Sequence, residues 1–285
     1  MRTGDPIERV GTLDKDVFLE EYAEVGRPLI ITDLIEAWPA RHDWNPEYLI
    51  ERCGDHRFNL DNQNFTAETL FTRLTQPGEA PTPYLHNHYL EEQLPHLPAD
   101  VTPMPELLRD NWLWHPRLPR HPLSRKGRIG LFIGGPGSAF PVLHRDNFHT
   151  HAFIFQIYGT KRVWLYHPNQ SEFLYVHPLI PCHSTIEAPH QLDRTRYPDF
   201  AKAKPLTATL APGETLFVPD NWWHATYMED LSISLSLNML NHTNFKGFAA
   251  DCRREWQRVS PIKAWLRYLR LRAFAARVTR TQAAG

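Results

Sequence analysis

The spacing of apolar positions changes character near the middle of the chain. In the first half, short apolar groups recur with helical spacing and are broken by proline; from Arg128 onward apolar and polar residues alternate. Phe18 and Tyr22 predict a short helix over residues 14–25. The run RPLIITDL at 27–34 is short, apolar and β-branched, and predicts a buried strand. WPARHDW then turns the chain into a second helix carrying Tyr48, Leu49 and Ile50. Residues 58–60 and 83–85 are weaker strand candidates. Residues 86–126, rich in proline and containing LLRDNWLW, predict mostly loop with short helices.

The second half predicts short strands separated by turns. GRIGLFIGGPGSAFPVLHRD reads as strand, glycine-rich turn and strand. HAFIFQIYGTKRVWLYHP reads as a hairpin, with Phe153, Phe155, Ile157, then Val163 and Leu165, alternating about a tip at Gly159 and Thr160. Residues 206–240 add more strands, with turns at Pro212 and Gly213, at Pro219, Asp220 and Asn221, and at Glu229 and Asp230. Many short strands between such turns argue for a mainly β barrel or jelly roll. Residues 244–280 predict two helices, the second started by Pro261. Its residues Ile262, Leu266, Leu269 and Ala273 share one face, with Trp265 beside them.

Composition narrows the class. Of 285 residues, 42% are hydrophobic, enough for a sizeable core, and 22% are charged, which excludes wholesale disorder. Cys53, Cys182 and Cys252 are far apart and lack CxxC spacing, so neither a disulfide framework nor a structural zinc site is expected. The N-terminal residues carry no apolar core of signal-peptide length, and no run approaches the ~18 apolar residues of a membrane span. A soluble, cytoplasmic protein is expected. The net charge of −1 conceals an asymmetry. Residues 246–280 hold ten Lys or Arg against Asp251 and Glu255, about eight positive charges, which leaves about nine negative ones on the rest.

The candidate chemistry lies at His144, Asp146 and His224. Residues i and i+2 of a strand project to the same face, so His144 and Asp146 emerge together and Arg145 points away. A histidine from a distant strand would complete two nitrogens and one carboxylate. That donor set leaves coordination positions open and suits Fe(II) and O2 chemistry. A bare His-x-Asp is a weak signal among 16 histidines, and His224 taken alone also fits a hydrogen-bonded core histidine.

The runs LHRDNFHTHAFIFQIYGTKRVWLYHP and GETLFVPDNWWH, with RPLIITDLIEAWPARHDW before them, resemble the JmjC or cupin-like Fe(II)/2-oxoglutarate hydroxylases. The resemblance, to the hypoxia-factor asparaginyl hydroxylase and the Jumonji lysyl hydroxylases among others, covers residues 18–240. It implies a double-stranded β-helix of jelly-roll type with flanking helices, and His144, Asp146 and His224 as catalytic metal ligands. It also implies that Lys161 pairs with the distal carboxylate of 2-oxoglutarate, that Tyr84 reaches the same carboxylate, and that Ser236 and Asn238 lie near this co-substrate. The chain departs from the family pattern in two places. Pro141 stands where relatives often have threonine, and residues 152–154 lack the asparagine common on that strand. His149 and His151 are expected to face a loop rather than substrate.

The function implied by the resemblance is hydroxylation of an unactivated C–H with Fe(II), 2-oxoglutarate and O2. The substrate class is a peptide or protein side chain, or a small molecule or peptide natural product. A non-catalytic metal- or ligand-binding cupin and a tRNA-modifying hydroxylase are the alternatives. Residues 1–243 are expected to form the oxygenase domain and 244–285 a basic helical tail. Homodimerisation through that tail is favoured over nucleic-acid contact, and no membrane partner is expected.

Overall fold

The computed structural model describes residues 6–60, 62–76, 82–123, 128–187 and 189–282. Among these run β1 (Arg9–Val10), β2 (Leu29–Ile31), β3 (Phe58–Leu60), β4 (Gln63–Phe65), β5 (Tyr84–Tyr89) and β6 (Ile129–Gly134). They are followed by β7 (His151–Tyr158), β8 (Lys161–Tyr166), β9 (Leu206–Leu210), β10 (Thr215–Val218), β11 (Trp223–Tyr227) and β12 (Ser232–Met239). A seven-stranded sheet has the order β1-β2-β10-β7-β12-β6-β5, and a three-stranded sheet the order β11-β8-β9. The large sheet is mixed: β1 runs parallel to β2, and the other pairs are antiparallel.

Alternation along each strand sorts side chains between two packed layers. Phe153, Phe155 and Ile157 of β7 face an N-terminal helical layer together with Phe217, Leu29 and Ile31. Ala152 of β7, Leu216 and Val218 of β10 and Ile30 of β2 face the opposite way, against Val163, Leu165, Leu206 and Leu210 of the small sheet. Both faces of the large sheet are therefore covered, which explains its nearly continuous apolar runs.

The helical layer is specified locally. Asp14 caps the turn at Lys15–Phe18, which continues as a π-helix over Leu19–Ala23. The Pro46–Cys53 helix is capped by Asn45, whose side chain accepts from Tyr48 N at 2.8 Å, and the Ala67–Thr75 helix by Thr66. Phe18 stands edge-on to Phe217, with ring centroids 4.8 Å apart, and ties this layer to the sheet.

Two expectations are corrected here. Residues 151–168 do not form a hairpin: β7 pairs with β10 and β12, whereas β8 pairs with β9 and β11. Gly159 and Thr160 form a corner that carries the chain from the large sheet to the small one. Gly159 has φ +62°, and a Cβ there would lie 1.8 Å from Leu231 O. The Asp230 carboxylate accepts from Thr160 N and Oγ1 at 2.9 and 3.0 Å, fixing the bend. The segment ending at HRD is also not a strand, since His144 makes only isolated bridges, to His183 and His224. Of the loop expected at 86–126, the start is strand β5, and residues 124–126 lie outside the described residues.

The tail forms two helices, Phe245–Gln257 and Pro261–Gln282. Phe248, Cys252, Trp256, Ala264, Leu271 and Phe274 pack with Trp112 and Leu240. The face carrying Ile262, Leu266 and Leu269 points outward, at 77%, 54% and 44% exposure. No helix among the described residues is long and apolar enough to cross a membrane.

Candidate metal centre

His144 and His224 lie directly opposite each other and exchange both backbone hydrogen bonds, at 3.1 and 2.6 Å. Opposed residues of an antiparallel pair point to the same side, and the two rings stand 4.2 Å apart between centroids. Asp146, two residues on with extended backbone (φ −65°, ψ 145°), joins them. One ligand atom from each of the three residues lies within 4.8 Å of the others.

Each imidazole is oriented by its own backbone. His144 Nδ1 lies 3.0 Å from Val142 O, and His224 Nδ1 lies 3.2 Å from Trp222 O. A carbonyl can only accept, so both Nδ1 atoms carry the proton, which leaves both Nε2 lone pairs to donate to a metal. Burial, and then the neighbouring His224, hold the His144 pKa well below the ordinary histidine value, so its ring is neutral. Phe140 stacks on the His144 ring with centroids 4.1 Å apart. Arg145 lies over Trp223, 5.2 Å from the ring centroid, but does not point away from the site as expected, since it also lines the cavity around the ligands.

These ligands line a cavity of about 340 Å³ between the two sheets, together with Tyr84, Lys161, Ser236 and Asn238. Lys161 begins β8 immediately after the corner and is 2% exposed. Its ammonium donates to Ser234 Oγ and, at 3.4 Å, to Tyr84 Oη. No carboxylate forms a salt bridge with it among the described residues, and burial pushes its pKa down to about 7. Burial likewise raises the Tyr84 phenol, against a hydrogen bond with Thr226, so Tyr84 keeps its proton. Thr226 and Ser234 line the cavity but are absent from the residues read off the sequence. Thr226 lies two residues after His224, and Ser234 two before Ser236, so the same-face rule pointed to both.

Asn238 lines the cavity and donates to Asp146 Oδ2 at 3.1 Å. His149 and His151 face the turn that follows β10. His151 is fully buried, accepts from Asp220 N at 3.0 Å and bonds Thr243 Oγ1 at 2.8 Å. His149 bonds Asp220 Oδ2 at 3.0 Å and sits against Gly247 of the tail, where a Cβ would come within 2.3 Å of its Nδ1. Both pin the turn after β10, which aims His224. Of the two departures from the family pattern, Pro141 is exposed, while Ala152 and Ile154 give the cavity an apolar wall.

The family model of a cupin-like domain matches residues 56–245, well over half the chain. Arginine-specific demethylase JMJ20 of Arabidopsis thaliana is 29% identical over 273 residues, 84% of this chain and 58% of its own length. Lysine-specific demethylase 8 of Danio rerio is 26% identical, covering 81% of this chain and 57% of its own. HSPB1-associated protein 1 of Homo sapiens is 27% identical, covering 82% and 52%. The chain thus spans about half the length of these relatives. It belongs to the cupin-like JmjC family, whose enzymes use Fe(II), 2-oxoglutarate and O2. The donor set fits that metal: two imidazole nitrogens and one carboxylate suit non-haem Fe(II).

Proposed function

We propose that this chain is a 2-oxoglutarate-dependent dioxygenase that hydroxylates an unactivated C–H of a peptide or protein side chain; a small molecule or peptide natural product is the other substrate class. One observation carries the reading. A two-histidine, one-carboxylate donor set and a buried lysine with no carboxylate partner among the described residues line the same cavity. A buried cation costs several kcal/mol of solvation unless an anion compensates it. Metal ligands and a waiting cation together match a chelating 2-oxo acid with a second carboxylate.

In this reading His144, Asp146 and His224 hold the iron. Lys161 donates to the distal carboxylate of 2-oxoglutarate, with Tyr84 and Ser234 flanking it and Ser236 alongside. Iron, with 2-oxoglutarate and O2, supplies the oxidising power that no side chain has. The protein contributes position and dryness: Ala152, Ile154 and Phe132 wall the cavity, and the Nδ1 bonds hold both imidazoles for ligation. We read the two sheets as the halves of a double-stranded β-helix. The chain crosses between them at β7–β8, β9–β10, β10–β11 and β11–β12. Residues 1–243 are the oxygenase unit and 244–285 a basic tail that joins two copies. The three free cysteines suit the reducing cytoplasm.

The test is succinate formation from 2-oxoglutarate with Fe(II), ascorbate and air, beside the His144→Ala variant. Uncoupled turnover in the wild type and none in the variant is expected. Equal succinate from both would remove the metal ligands from the chemistry.

A further inference from the structure

Asn238 sits on the cavity face of β12, two residues beyond Ser236. Its Nδ2 donates one hydrogen to Asp146 Oδ2 at 3.1 Å and the other to Thr150 Oγ1 at 3.0 Å. The orientation of the amide is forced. A carboxylate only accepts, so the nitrogen must face Asp146. Thr150 donates its own hydrogen to Asn147 O at 3.1 Å, which leaves a lone pair for the amide. The backbone is fixed too: Asn111 Nδ2 donates to Asn238 O at 2.7 Å, and Asn111 Oδ1 accepts from Leu240 N at 3.0 Å. With both amide hydrogens committed, Asn238 retains only Oδ1, an acceptor. The carboxylates of a 2-oxo acid need donors, so in this arrangement Asn238 has none to give them.

Asp146, in contrast, has no strand to hold it. It leads from a single bridged residue into the Asn147–His149 turn, where Phe148 and His149 both adopt left-handed backbone, at φ 60° and 49°. A ligand on such a segment needs an external hold, and the partners that orient a ligating carboxylate are part of the site's metal affinity. Asn238 is placed to supply that hold from the rigid centre of the large sheet.

We infer that Asn238 is a positioning residue that acts on the metal through Asp146. It binds one carboxylate oxygen so that the other is presented for ligation, and Thr150 sets its rotamer. The inference rests on the metal reading above.

The experiment is calorimetric titration of Co(II) into metal-free wild type, Asn238→Ala, Thr150→Val and Asp146→Ala, without 2-oxoglutarate. Titration of 2-oxoglutarate into the Co(II)-saturated proteins follows. Asn238→Ala should weaken Co(II) by about tenfold or more, with Thr150→Val shifting the same way by less and 2-oxoglutarate affinity at saturating Co(II) unchanged. Asn238→Asp keeps the shape but sets acceptor against acceptor. It should weaken Co(II) further, and it carries the test should the alanine variant melt early. Unchanged Co(II) affinity with weakened 2-oxoglutarate would make Asn238 a co-substrate contact and overturn the inference. Co(II) bound equally by wild type and Asp146→Ala would overturn the metal reading itself, a different failure visible in the same data.

Discussion

Lys161 is the residue whose chemistry reaches furthest into function. Its amine is held near pH 7 by burial, well under the ordinary lysine value, because no anion among the described residues repays its desolvation. A bound dicarboxylate would restore that charge, so binding and protonation are coupled. Below about pH 7 the amine is already charged and co-substrate affinity should be flat. Above it, each dicarboxylate must bring a proton with it, and affinity should fall by up to about tenfold per pH unit towards the ordinary lysine range. Calorimetry at pH 8 in two buffers of different ionisation enthalpy, with Mn(II) in place of iron, measures the uptake directly. Affinity constant from pH 7 to 9 with no proton uptake would separate Lys161 from the co-substrate. At this scale the site was partly legible. Spacing brought His144 and Asp146 together, and resemblance pointed to Lys161. The roles of His149, His151 and Asn238 were not legible, because their partners Asp220 and Asp146 lie 71, 69 and 92 residues away.

Elements show a different limit. The apolar alternation and the turns of residues 151–239 were readable, and the strands lie where it put them. Which strand pairs with which was not. A Gly-Thr turn between two strands reads as a hairpin, because the local pattern says nothing about Phe153 pairing with both Phe217 and Leu237. The corner is instead enforced at the left-handed Gly159 by two contacts absent from local sequence: its close approach to Leu231 O and the Asp230 clasp on Thr160. Gly159→Ala should therefore cost more than the roughly 1–3 kcal/mol of a left-handed non-glycine residue, since the new methyl meets a backbone oxygen. Asp230→Ala should cost roughly 0.5–1.5 kcal/mol, the net worth of hydrogen bonds whose donors water can reach. Thermal melts report both, and because Lys161 follows the corner, Gly159→Ala should also weaken 2-oxoglutarate binding. A Gly159→Ala protein that melts with the wild type would mean the corner is far more pliant than its contacts imply.

For the whole molecule, the question is what the tail does outside the core. Its inner face packs with Trp112 and Leu240, so cutting the chain at Asn244 would strip Phe248, Cys252 and Trp256 from a buried cluster and confuse unfolding with loss of a partner. The outer face offers Ile262, Leu266 and Leu269, exposed on a helix that by sequence carries six cations and no acid. We propose that this face joins two copies; an exposed apolar stripe of this kind marks an interaction surface. Such a contact sets like charges side by side, and salt screens their repulsion. Sedimentation velocity should therefore show a dimer that tightens as NaCl is raised, and Leu266→Glu with Leu269→Glu should convert it to monomer with helix content unchanged. A nucleic-acid surface would behave in the opposite sense: salt would weaken binding steeply by removing the counterion-release term, and the two leucine changes would leave the sedimentation coefficient alone. A protein monomeric at every salt concentration would refute the dimer, while oligomers indifferent to both leucines would move the interface elsewhere on the molecule.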